Sequence, residues 1–171
     1  MVMTNTPENL LSLEIATLAA SLLARRWRLV TAESCTGGLL AKYFTDQAGS
    51  SQWYEGGWVT YSNAMKQQQL QVSAHLLAHF GAVSEPVVLA MAHGALQNTA
   101  AQLSIAVSGV AGPEGGTPNK PVGTVWFAWG IRGASSQVIQ THAQRMWFAG
   151  DRSQIRAAAV KYALKGIREY L

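Results

Sequence analysis

Three polar segments hold the residues of this chain that could do chemistry, and each begins where an apolar run ends. The first is Glu33-Ser34-Cys35-Thr36-Gly37-Gly38, entered from Leu29-Val30. The second is Tyr61-Ser62-Asn63, followed closely by Lys66. The third is Ser108-Gly109-Val110-Ala111-Gly112-Pro113-Glu114-Gly115-Gly116. Together they offer a hydroxyl, an amine and a phenol, with no well-placed histidine. A serine hydroxyl attacks only when a base takes its proton. Lysine can be that base once burial or a cationic neighbour brings its pKa from about 10.4 toward neutrality. Ser34 and Lys66 therefore suggest a Ser-Lys variant of the Ser-His-Asp theme, with Tyr61 relaying the proton or protonating the leaving group.

Each residue also has a plainer reading. Ser, Thr and Gly ahead of a helix are ordinary N-cap residues. Most lysines are solvated, and a helix-borne Lys66 would be no exception. Glu33 reads as a group that caps or orients the turn, or as a third acid-base group. Cys35 is a small buried filler or a rival nucleophile. The segment 108–121 is a surface turn or, given its length, a binding loop. The Ser34 segment is not a P-loop, because no Gly-Lys-Ser/Thr ends it, and its glycines are too late for a dinucleotide fingerprint. Nor does it have the Gly-x-Ser-x-Gly pattern of the α/β-hydrolases.

The elements that must position these groups follow from apolar spacing. Leu10, Leu11, Leu13, Ile15, Ala16, Leu18, Leu22 and Leu23 make 9–26 an amphipathic helix, opened near Thr6-Pro7. Residues 28–32 read as a strand, 38–45 as a helix, and 53–62 as an aromatic and β-branched strand with a bulge or close approach at Gly56-Gly57. Short helices at 64–70 and 73–79 follow. Ser84 is the expected N-cap of a longer helix that reaches about Ala101. Residues 103–107 form a buried strand, and 123–131 and 137–148 form two more, joined near Arg132-Gly133. Asp151 caps a last helix to about Tyr170. This order predicts an α/β fold, a three-layer α/β/α sandwich. Its sheet is mixed and mostly parallel, because two strands joined by a short turn must be antiparallel. Neither a repeat nor a linker interrupts it, so 1–171 is expected to be one domain.

Composition narrows the classes. With 171 residues, 49% hydrophobic and 13% charged, the chain can bury a full core. No run of eighteen apolar residues calls for a membrane span, and residues 1–9 lack the features of a secretion signal. One cysteine fits a reducing cytoplasm. His75 and His79 lack the glutamate of a zinc-protease motif, so no metal and no cofactor is expected. The net charge is +4, with Arg145, Arg152, Arg156, Lys161, Lys165 and Arg168 clustered near the C-terminus. Without aromatic interleaving this cluster does not point to nucleic acid, whereas two or three arginines suffice for a small anionic ligand.

Taken in order, several segments resemble the CinA C-terminal domain family: Ala32-Glu33-Ser34-Cys35-Thr36-Gly37-Gly38, Gly49-Ser50-Ser51, and Val59-Thr60-Tyr61-Ser62-Asn63 with Lys66. So do Gly81-Ala82-Val83-Ser84-Glu85, Ser108-Gly109-Val110-Ala111-Gly112-Pro113 and Lys120-Pro121-Val122-Gly123-Thr124-Val125. The last is Arg145-x-x-Phe148-x-Gly150-Asp151-Arg152-x-x-x-Arg156, so the resemblance spans 10–170. It implies an α/β/α sandwich and a nicotinamide-nucleotide amidase, or NMN deamidase. Such an enzyme hydrolyses nicotinamide mononucleotide to nicotinate mononucleotide and ammonia in pyridine-nucleotide salvage.

Carried over, the resemblance makes Ser34 the nucleophile, Lys66 the general base and Tyr61 its partner. The substrate-contacting set would be Glu33, Thr36, Gly37 and Gly38, then Ser108, Gly109, Ala111 and Gly112, with Arg145 and Arg152 as a cationic wall. The N–H groups of Cys35 to Gly37 would hold the oxyanion, each such donor contributing about 3–4 kcal/mol. The partner implied is a small nucleotide substrate, with a homodimer left open. One departure stands out: Ala64 replaces an acid that many relatives carry in Tyr-Ser-Asn-Glu-x-Lys. Two other readings stay open at this point, an inactive paralogue that binds a nucleotide and a competence- or DNA-damage-linked interaction protein.

Overall fold

The computed structural model describes residues 7–133 and 138–171. Of the expected Thr6-Pro7 opening of the first helix, Thr6 lies outside the described residues, as does Gln137, the expected start of the last strand. In chain order the elements are α1 (Pro7–Arg25), β1 (Leu29–Glu33), α2 (Leu39–Thr45), β2 (Tyr54–Val59), α3 (Asn63–Leu70), α4 (Ala74–Phe80) and α5 (Glu85–Gln97). They continue with β3 (Leu103–Gly109), β4 (Thr124–Arg132), β5 (Ile139–Trp147) and α6 (Arg152–Ile167). The strands form one sheet in the order β2-β1-β3-β4-β5. β1 pairs in parallel with β2 and β3, and β4 pairs antiparallel with β3 and β5. The sheet is mixed, as expected. Four strands share one direction and β4 alone is reversed, although only two of the four pairings are parallel.

Alternation along the central strands separates two cores, because successive side chains leave opposite faces of a strand. Leu103, Ile105, Val107, Val125, Phe127 and Trp129 face α1, α2 and α6. Val30, Ala32, Ala106 and Ala128 face α3, α4 and α5. This second face is lined with small residues, so α5 lies close to the sheet. Ser104 donates to the Ala92 carbonyl of α5 at 2.8 Å. A Cβ on Gly130 would meet Ser104 Oγ at 2.4 Å and Leu96 at 3.0 Å, so this position must be glycine.

Several boundaries differ from those expected. β2 stops at Val59, short of the expected Ser62, because the Ser62 hydroxyl accepts from Met65 N and caps α3 instead. β3 runs on through Ser108 and Gly109, which pair with Trp126 and Val125 of β4, so the polar loop begins two residues later than expected. α5 ends at Gln97 with Asn98 as C-cap, and Ala101 lies beyond it, fully buried. Ser84 precedes α5 but makes no side-chain capping bond, since its hydroxyl donates back to Gly81 O at 2.7 Å. Asp151 behaves as expected: it accepts from Gln154 N, and Gln154 closes a reciprocal capping box. No helix among the described residues is long and apolar enough to cross a membrane.

Candidate active site

β1 and β3 deliver the chemistry to one edge of the sheet. Ser34 follows directly on β1, with its N–H donating to Val107 O of β3 at 2.9 Å. Lys66 is the fourth residue of α3, three past the helix start, and is 1% exposed. Its Nζ lies 3.0 Å from Ser34 Oγ, 2.8 Å from Thr60 O and 3.3 Å from Tyr61 O. A neutral amine has two N–H bonds and one lone pair. The two carbonyls match the N–H bonds, which leaves the lone pair for the Ser34 hydroxyl. Burial lowers the Lys66 pKa from the ordinary 10.5 by penalising the charged form.

The turn after Ser34 is held from below. Glu33 is 1% exposed, and its carboxylate accepts from Gly38 N at 3.0 Å, Leu40 N at 3.1 Å and Ala41 N at 2.9 Å. The first N–H groups of α2 at Leu40 and Ala41 are thereby taken by a resident carboxylate. An anion there suits both the unpaired donors and the helix dipole. Gly38 enters α2 at φ +92°, a left-handed conformation that glycine adopts without strain. Gly37 N–H donates to Ser34 O at 3.0 Å, so it too is unavailable to a ligand. Of the N–H groups from Ser34 to Ala41, those of Cys35 and Thr36 alone donate to no other residue among those described.

A cavity of about 200 Å³ opens over Ser34. Lys66, Tyr61, Ser108, Ala111 and Arg152 stand among its walls. Ser108, 1% exposed, is held by donating to Ala82 O at 2.8 Å. Arg152, at the start of α6, donates to Gly112 O at 2.8 Å and to the Tyr61 hydroxyl at 3.0 Å. It thus ties the third polar segment to the second across the cavity mouth. The model of the CinA C-terminal domain matches residues 13–171. The chain belongs to the CinA C-terminal domain family.

Relatives of this CinA C-terminal domain fall into two lengths. The nicotinamide-nucleotide amidohydrolase PncC of Enterobacter agglomerans is 48% identical over 162 residues, 94% of either chain. A CinA-like protein of Akkermansia muciniphila is 51% identical over 140 residues, 82% of this chain but 33% of its own length. The chain thus spans about a third of that longer relative. Among solved structures, the competence damage-inducible protein A of Klebsiella pneumoniae superposes with a TM-score of 0.86 at 48% identity, over 93% of this chain and 95% of that one.

The CinA C-terminal domain brings Ser34, Lys66, Ser108, Gly109, Ala111 and Arg152 to one cavity. It does not bring Arg145 there. Arg145 lies exposed on β5 and donates to Asn119 O at 3.1 Å, on the outer part of the loop. Nor does the Tyr61 phenol reach Lys66. Its side chain is 61% exposed and bonded to Arg152, and the backbone carbonyl is what meets the amine. Thr36 is fully buried beneath the turn, and Gly112 contributes its carbonyl to Arg152. Cys35 is buried, and burial pushes its thiol up to about 12, so almost no thiolate exists at neutral pH. Sequence reasoning did not single out the carbonyl of Thr60. It named Arg156 in the last motif but gave it no role; this residue holds the Ser34 turn from α6. Among the described residues no group of three or more His, Cys, Asp or Glu side chains could hold a metal.

Two expected results follow from these placements. Glu33→Gln keeps the shape but sets an amide N–H₂ against backbone donors. It is expected to lower unfolding free energy by about 3 kcal/mol, read from denaturant melts. Ala64→Glu is expected to leave kcat unchanged. Position 64 is exposed while Lys66 is buried, and residues two apart on a helix point to different sides. An acid in the first turn of α3 should instead add about 0.3–1 kcal/mol of stability.

Proposed function

We propose that this chain is a nicotinamide-nucleotide amidohydrolase that converts nicotinamide mononucleotide to nicotinate mononucleotide and ammonia by a Ser-Lys mechanism. The observation that carries this reading is the buried Lys66 amine 3.0 Å from Ser34 Oγ, beside an open cavity of about 200 Å³. The PncC name of a relative matched along nearly its full length supports the choice of substrate.

Lys66 takes the hydroxyl proton as Ser34 Oγ attacks the carboxamide carbon. The tetrahedral intermediate collapses when Lys66 returns that proton to the nitrogen, which leaves as ammonia and leaves an ester on Ser34. Water, deprotonated by Lys66, attacks this ester. Collapse then frees the carboxylate, and the proton goes back to Ser34. The pyridinium ring withdraws electrons from the carboxamide, so a modestly activated hydroxyl suffices. Thr60 O and Tyr61 O keep the amine aimed throughout.

Arg152 is the cation placed to meet the 5′-phosphate, because it lines the cavity and a guanidinium is always charged. Arg152→Ala is expected to raise KM for the nucleotide about tenfold, equivalent to ~1.4 kcal/mol, with little effect on nicotinamide riboside. Equal effects on both substrates would remove the phosphate from Arg152. The deciding experiment for the reading as a whole is ammonia release from nicotinamide mononucleotide by the purified chain. Binding of the nucleotide by calorimetry without ammonia above the Ser34→Ala background would make this chain a nucleotide-binding protein instead.

A further inference from the structure

The turn that carries Ser34 is held at its own carbonyls by a residue of another element. Arg156 of α6 donates from Nε to Cys35 O at 3.1 Å and from a terminal nitrogen to Thr36 O at 2.8 Å. It is absent from the cavity lining, so it acts on the turn and not on a ligand. A trans peptide is planar, with its N–H directed opposite to its C=O. Fixing Cys35 O toward α6 therefore turns the Thr36 N–H to the other side. Fixing Thr36 O does the same for the Gly37 N–H, which donates to Ser34 O. That bond in turn sets the Ser34–Cys35 peptide and the direction of the Cys35 N–H. Two guanidinium contacts thus orient, in sequence, the two N–H groups of the turn that donate to no other residue among those described.

We infer that Arg156 is a positioning residue, which aims the Cys35 and Thr36 N–H groups at the oxyanion formed when Ser34 attacks. This rests on the amidohydrolase reading above and adds to it the donors and the group that sets them. A cation on the far carbonyl also polarises the peptide, which strengthens Thr36 N–H as a donor. The other candidate donors are excluded one by one. Gly38, Leu40 and Ala41 give their N–H groups to Glu33, Leu39 to Thr36 O, and Ser34 to Val107 O. Gly37 completes the turn at φ +58°, a left-handed conformation that favours glycine.

The test compares Arg156→Ala and Arg156→Lys with the parent chain on nicotinamide mononucleotide, with unfolding temperature measured for each. The loss should appear in kcat, because the oxyanion exists only after attack. Removal of one such donor costs about 10²-fold or more, and misaiming both should approach that in Arg156→Ala with KM nearly unchanged. Arg156→Lys, which offers one compact cation where two fixed donors stood, should lose about tenfold. Added guanidinium should restore part of the rate to Arg156→Ala and none to Ser34→Ala. Should Arg156→Ala fail to fold, Arg156→Lys decides. A folded Arg156→Lys with parental kcat, or a loss confined to KM, overturns the inference. An inactive parent chain would instead overturn the amidohydrolase reading on which it rests, and the two failures are told apart by the parent assay.

Discussion

Ser34→Ala is expected to lower ammonia release from nicotinamide mononucleotide by about 10³-fold or more, since Ser34 Oγ is the hydroxyl that, among the described residues, bonds to the amine. The fold should survive. The substitution removes one side-chain oxygen whose contact is with Lys66, while the Ser34 backbone bonds to Val107 and Gly37 remain. Cys35→Ser should keep most of the activity, because the thiol is buried, protonated and held as a neighbour of the core. Both variants are read in the same assay. A Cys35→Ser chain as inactive as Ser34→Ala, together with loss of parental activity to a thiol reagent, would transfer the nucleophile to Cys35.

Lys66 carries the second large effect. Lys66→Arg should be nearly inactive, with about 10³-fold lower kcat, because a guanidinium holds its proton at any working pH and cannot accept one from Ser34. The parent chain should show kcat/KM rising with pH, close to tenfold per unit on the acid limb, up to the lowered pKa of the lysine. The direction follows from the base being the neutral amine, so activity is lost as pH falls through that pKa. Stability should move the same way. Between the lowered folded value and 10.5 the unfolded chain binds a proton that the folded chain does not, so unfolding free energy rises with pH across that window. Lys66→Met should flatten this rise. An active Lys66→Arg chain, or a profile flat below neutrality, would remove the base role.

Both predictions depend on how the chain buries a lysine, which separates what was legible from what was not. The strand-turn-helix around Ser34 could be read directly. Leu29-Val30 is apolar, the polar turn follows it, and Gly37-Gly38 break the backbone ahead of a helix-forming run. The capping role of Asp151 and the reversed direction of β4 were likewise written in local spacing and in a short turn. These are properties of neighbouring residues, fixed by the two-residue and 3.6-residue periods of strands and helices.

Contacts between distant segments obey no such period. Arg145 and Arg152 look alike in sequence, yet Arg145 on the exposed edge strand reaches Asn119, while Arg152 at the start of α6 reaches the cavity. Tyr61 and Lys66 stand close in sequence, but the turn into α3 sends the phenol outward and brings the carbonyl to the amine. Glu33 could be suspected as a capping group, but its three donors are fixed by the angle at which α2 leaves the sheet. The sequence by itself determined which residues could react and which elements would carry them. The tertiary structure decided that Lys66 is dry, that Ser34 lies against it, and that Arg156 grips the turn from 120 residues away. The physical reason is that burial and hydrogen-bond geometry belong to the packed assembly of strands and helices. A single segment carries only the side chains that the assembly will place.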